Sequence, residues 1–76
     1  MQGKINYKLN SLIYGKYKNQ AQMSDAMGWP RGRLNKIVNG LKEPDLDEVN
    51  EIAKALDVTL SDIANIFLAS SHQTGN

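Results

Sequence analysis

The chain has 76 residues, no cysteine and a formal net charge of +1, which limits it to one domain without disulfides or thiolate metal sites. A chain this short buries only about 60–65% of the surface its unfolded form exposes, so well-formed helix packing or a partner must supply stability. The charge is divided unevenly: residues 1–44 carry eight basic and two acidic side chains, residues 45–76 one basic and six acidic. A half with such a basic excess suits a polyanion. The opening MQGKINYKLN has no apolar run of signal-peptide or membrane-span length, so a cytoplasmic, soluble chain is expected.

In INYKLNSLIYGKY, Ile5, Leu9, Leu12 and Ile13 recur at spacings of three and four and predict a first helix with one apolar stripe. Tyr7, Tyr14 and Tyr17 lie around it and are expected to pack and to bond through their hydroxyls, and Gly15 is expected to loosen or end the helix. NQAQMSDAMG predicts a second helix of barely two turns. Asn19 is its N-cap, Gln22 can complete a capping box, Met23, Ala26 and Met27 turn inward, and Gly28 closes it. A third helix follows at once. Pro30 suits its first position, Leu34, Ile37 and Val38 form its apolar side, and Asn39-Gly40 ends it. Two short helices joined by a glycine turn follow helix-turn-helix grammar.

PDLDEVNEIAKALD predicts the best-marked helix. Asp45 caps it, Glu48 completes a capping box, and Leu46, Val49, Ile52, Ala53 and Leu56 line one face. The acidic residues crowd its first turns, where the helix dipole favours negative charge, so much of the acidic half has a structural explanation. In TLSDIANIFL the start signal returns with Thr59 and Asp62, and Leu60, Ile63, Ile66 and Phe67 supply the apolar face. The remaining ASSHQTGN lacks periodicity and bulk; a domain of residues 1–68 followed by a flexible tail of 69–76 is expected. Nothing reads as a strand.

The third helix has a polar arc that could present binding groups. At about 100° per residue, Arg31, Gly32, Asn35, Lys36 and Asn39 share an arc of roughly 140°, opposite Leu34, Ile37 and Val38, with Arg33 at its border. Guanidinium groups on such an arc can meet guanine, and amides can meet adenine or phosphate.

The stretch NQAQMSDAMGWPRGRLNKIVNGLKEPDLDEVNEIAKALDVTLSDI, residues 19–63, resembles the Cro/CI (XRE) family of helix-turn-helix DNA-binding proteins. Its specific landmarks are Gln20-Ala21, Gly28, IVNG at 37–40, Pro44, and IAKALDVTLSDI at 52–63. The resemblance implies an all-α, compact five-helix, lambda-repressor-like domain with the helix-turn-helix at helices two and three. It implies that the third helix enters the major groove of an operator. Carried over by position, Arg31, Gly32 and Lys36 fall on base-reading places and Arg33 on a flanking place close to phosphate. Gln20 and Asn39 fall on places that meet the DNA backbone.

The partner so implied is double-stranded operator DNA, bound by a small, phage-repressor-like transcription regulator. A homodimer is expected, through the outer faces of helices four and five or the NIFLAS end. The alternative is a modulator or antirepressor of the same fold that forms a hetero-complex with another repressor. An enzyme is not expected. There is no cysteine, His72 stands alone in the tail, and no metal-ligand cluster or phosphate loop on a strand is present. Cofactor, metal, membrane and small-molecule substrate are accordingly not expected.

Two residues depart from the family pattern. Pro30 stands where the family has a serine or threonine cap. Gly32 costs about 0.5–1 kcal/mol relative to alanine inside a helix. Gly32 either allows close backbone approach to DNA or leaves a weak helix that orders on binding. Trp29 is expected to pack over the small core.

Overall fold

The structure is a computed structural model that describes residues 4–75, with side chains described for residues 4–69. Five helices follow in order: α1 (Tyr7–Lys16), α2 (Gln20–Met27), α3 (Arg31–Val38), α4 (Leu46–Leu56) and α5 (Leu60–Gly75). Among the described residues there is no strand, and the fold is the expected all-α, lambda-repressor-like arrangement. α2 packs on α3, α4 packs on α5 and α2, and α1 touches each of the other four. The core lies between them. Leu9 and Ile13, Met23, Leu34, Ile37 and Val38, Val49, Ile52, Ala53 and Leu56, and Ile63 are its buried members, joined by Trp29 from the turn. The 3.6-residue apolar periodicity therefore produces the packing that it predicts for most of these positions.

The helix starts show why these boundaries hold. Asn6 caps α1 by accepting from the Leu9 amide at 3.0 Å, and Asn19 caps α2 by accepting from the Gln22 amide at 2.8 Å. Asp45 and Glu48 form a complete, reciprocal capping box on α4, at 2.8 and 3.0 Å. Thr59 and Asp62 exchange the same pair of bonds at the start of α5. Gly28 (φ 74°) and Gly40 (φ 75°) make the left-handed turns after α2 and α3, which glycine adopts without steric cost. Asp57 takes the same region at φ 60° after α4; a short polar side chain makes it tolerable there.

Several positions differ from the sequence reading. Ile5 precedes α1 and is 43% exposed, because Asn6 starts the helix later than the apolar spacing suggests. Gly15 lies within α1, which ends at Lys16. The Gln22 side chain accepts from the Lys18 amide at 2.8 Å, one residue before the N-cap, so α2 has no reciprocal box. Ala26 is exposed and Met27 half-buried; Met23 alone of the three is buried. Pro30 is the N-cap of α3, with extended backbone (φ −61°, ψ 143°), and Arg31 takes the first helical position. Leu46, the first residue of α4, is 72% exposed, and Leu60, the first residue of α5, is 41% exposed. Tyr7 and Tyr14 are exposed, while Tyr17 donates its hydroxyl to the Ala55 carbonyl at 2.7 Å. The backbone of α5 continues to Gly75 through the segment expected as a tail. Side chains from Ser70 onward, His72 included, and residue 76 lie outside the described residues.

Candidate nucleic-acid interface

Gly28 sets the angle between α2 and α3. Its left-handed backbone lets the Trp29 amide reach back to the Ser24 carbonyl at 2.9 Å, which closes α2 within one residue. Pro30 then fixes φ for the entry into α3. α3 consequently emerges with Leu34, Ile37 and Val38 in the core. Arg31, Gly32, Asn35 and Lys36 are exposed and Asn39 is half-buried at the helix end. The arc expected from periodicity is thus present as an outward polar face.

Arg31 is held only loosely. Its guanidinium lies 3.6 Å from the Asp25 carboxylate, with both side chains well exposed, and a surface pair of that kind contributes little to stability. Gly32 is helical, and a Cβ placed on it would meet nothing within 4 Å. The fold itself does not require glycine there.

The amides form a chain across three helices. Asn39 donates to Asn35 at 3.2 Å, Asn35 donates to Gln20 at 3.1 Å, and Gln20 donates to Asn10 at 3.3 Å. Gln20 at the start of α2 is thereby drawn beside α3, and Asn10 of α1 joins them. Each amide in the chain keeps hydrogen-bonding capacity for an outside partner. Asn10 was not marked by the sequence pattern: it lies ten residues from Gln20, and only the tertiary packing of α1 brings them together.

Arg33 is placed differently from the rest. Its Nε donates to Glu48 Oε2 at 2.8 Å, and its guanidinium carbon stands 4.3 Å from the centre of the Trp29 ring. Glu48 is only 2% exposed. Its other oxygen accepts from Lys42 Nζ at 2.8 Å and from the Asp45 amide at 3.0 Å. The Lys42 bond, with the Asp45 amide and Arg33 behind it, outweighs burial and lowers the Glu48 carboxyl to a pKa of about 2. The carboxylate is therefore charged across the physiological range. Trp29, 7% exposed, donates from its indole nitrogen to Glu51 at 2.9 Å, so the expectation that it packs is met. The sequence marks Glu48 as a capping residue, but it gives no sign that this carboxylate is buried between two cations.

What this surface can do chemically is bind an anion and present amides and a guanidinium to a polar edge. Among the described residues no cluster of ligating side chains could hold a metal ion, and no helix of the described residues is long and apolar enough to cross a membrane. A family model described as Helix-turn-helix matches residues 16–63. No curated protein and no solved structure matches the chain. The matched span covers α2 to α4, both glycine turns and the start of α5, which is the unit that sets the outward face of α3. With that match and that geometry together, the chain belongs to the Cro/CI-type (XRE) helix-turn-helix family of DNA-binding transcription regulators.

Proposed function

We propose that the chain is a sequence-specific, Cro/CI-like regulator that lays α3 in the major groove of an operator. The observation that carries this reading is the exposed arc of Arg31, Asn35 and Lys36 on a helix whose opposite side is core. Arg31 and Lys36 would read base edges, guanine above all, because their donors match its two major-groove acceptors. Gly32 lies between them and lets backbone approach. Gln20 and Asn39 would meet phosphate, one at each end of the amide chain's contact with α3. One such face touches few base pairs, so a homodimer on a two-fold site is expected, as is usual for helix-turn-helix proteins. Leu60 and Leu68 leave apolar surface exposed on α5 for that purpose. The small size of the chain and its resemblance to the Cro/CI family favour a phage regulator.

The alternative, an antirepressor that binds another repressor, would be served by a Trp29 exposed beside α3. Trp29 is buried, which removes that support.

The test is a selection of duplexes from a random pool, followed by titration of the selected duplex across salt concentrations. Affinity should fall steeply with salt, with a slope near −0.9 per phosphate contacted. Arg31→Ala should cost about 1–3 kcal/mol on the selected duplex and relax the preference at one position. Absence of binding at low salt would sink the DNA reading; equal weakening on every duplex would make Arg31 a phosphate contact.

A further inference from the structure

We propose that Arg33 is a positioning residue, which holds α3 at its working angle through Glu48 and Trp29 and does not touch phosphate. The inference rests on the reading of α3 as the DNA-binding helix and deepens it.

Arg33 sits in the first turn of α3, which has no side-chain cap. Its guanidinium is engaged twice: its carbon lies over the Trp29 ring at 4.3 Å from the centre, and its Nε meets Glu48. Both partners are buried, and each belongs to a different structural element. Trp29 is the turn residue that leads into α3. Glu48 is in the first turn of α4, and the same carboxylate binds Lys42 from the connecting segment and the Asp45 backbone. One carboxylate therefore joins α3, the segment between the helices and the start of α4.

A guanidinium is the cation that can do this, because its plane stacks while its edge bonds a carboxylate; an ammonium cannot do both. The Nε bond and the indole hold the guanidinium where it lies, so a swing of Arg33 out towards a phosphate beyond its present reach would break both contacts. That exchange is unfavourable, since Glu48 would lose one of its two cationic partners inside the protein. Arg31, by contrast, has only an exposed partner at 3.6 Å to give up. The two arginines of the first turn thus divide the work: one faces outward and the other holds the helix.

The experiment compares the full-length chain with Arg33→Lys, Arg33→Met, Glu48→Gln and the Arg33→Met/Glu48→Gln pair on the selected duplex and on a random one. Positioning predicts that Arg33→Lys, although it keeps the charge, weakens the selected duplex by about tenfold, leaves the random duplex nearly unchanged and keeps the salt slope. Arg33→Met should behave alike, and adding Glu48→Gln to it should cost little more than either single change. Full affinity in Arg33→Lys, or a salt slope shallower by about 0.9 in Arg33→Met with equal weakening on both duplexes, overturns the inference and makes Arg33 a phosphate contact. If Arg33→Met does not fold, Arg33→Lys decides alone. No duplex binding by the unaltered chain removes the DNA reading and this inference together, whereas binding with the phosphate-like pattern removes this inference only.

Discussion

α3 and α4 begin in opposite ways. α4 has a reciprocal capping box from Asp45 and Glu48, acidic Asp47 and Glu48 in its first turn and Lys54 in its last, all of which suit the helix dipole. α3 has no side-chain cap, no acid in its first turn, and Arg31, Gly32 and Arg33 as its first three residues. Two cations at the positive end of a helix, with glycine between them, are unfavourable to an isolated helix. The same choice favours an anionic partner. The comparison teaches that α4 is stable through its own sequence, whereas α3 depends on what it packs against. Glu48 serves both, capping one helix and holding the other.

The sharpest break in that comparison is Glu48→Ala. It deprives Arg33 and Lys42 of their shared acceptor and should cost about 3 kcal/mol, read as a Tm lower by roughly 10–20 °C. Hydrogen exchange should show α3 losing protection as well as the start of α4; loss confined to α4 would contradict the shared role. The acid dependence has a definite sign. Because the folded-state pKa of Glu48 lies below its ordinary value of 4.5, its stabilisation is complete above that value and is lost as pH falls towards about 2. The difference in urea stability between the unaltered chain and Glu48→Gln should therefore shrink over that window. A difference that stays constant through it would place the stabilisation elsewhere.

A smaller effect, about 1 kcal/mol, is expected for Asp45→Ala, which removes the side-chain half of the α4 box. Circular dichroism against denaturant would show it, and an unchanged midpoint would mean that the cap contributes nothing to α4. The smallest change has the opposite sign. Gly32→Ala should raise stability by up to about 1 kcal/mol, since the added Cβ meets nothing within 4 Å. Gly15→Ala, equally open within α1, is the control. If both gain stability but only Gly32→Ala loses DNA affinity, the backbone of α3 lies against the groove. If Gly32→Ala binds as before, close approach is excluded.

Much of this architecture is readable from local pattern. Gly28, Pro44, the Asp45–Glu48 pair and the Thr59–Asp62 pair each mark a boundary within a few residues of chain, where capping and turn chemistry operate. Leu9, Ile13, Leu34, Ile37, Ile52 and Ile63 are core positions in both readings. The misplaced residues share a cause. Leu46 and Leu60 have the right azimuth on a helical wheel, but each is the first residue of its helix, and periodicity cannot say whether a neighbour exists at that height. The candidate site divides in the same manner. The exposed arc follows from i, i+4 spacing, whereas the Arg33–Glu48 tie spans fifteen residues and the Trp29–Glu51 bond twenty-two. Arg33 falls at the border of the wheel, where only tertiary packing determines which way the side chain turns.

Asn6 adds one more tie. Its amide donates to the Val38 carbonyl at 2.7 Å, so the start of α1 satisfies an acceptor at the end of α3 that the helix cannot satisfy itself. With Glu48 engaged at the other end, α3 is fastened to the body of the protein at both ends before any DNA arrives. A helix so fastened has almost no ordering left to do on binding. The heat-capacity change of complex formation should then match the surface covered at the interface alone, without the additional fall that coupled folding brings. The thermodynamic character of recognition is in this way set partly by a backbone hydrogen bond at the opposite end of α3 from the arginines.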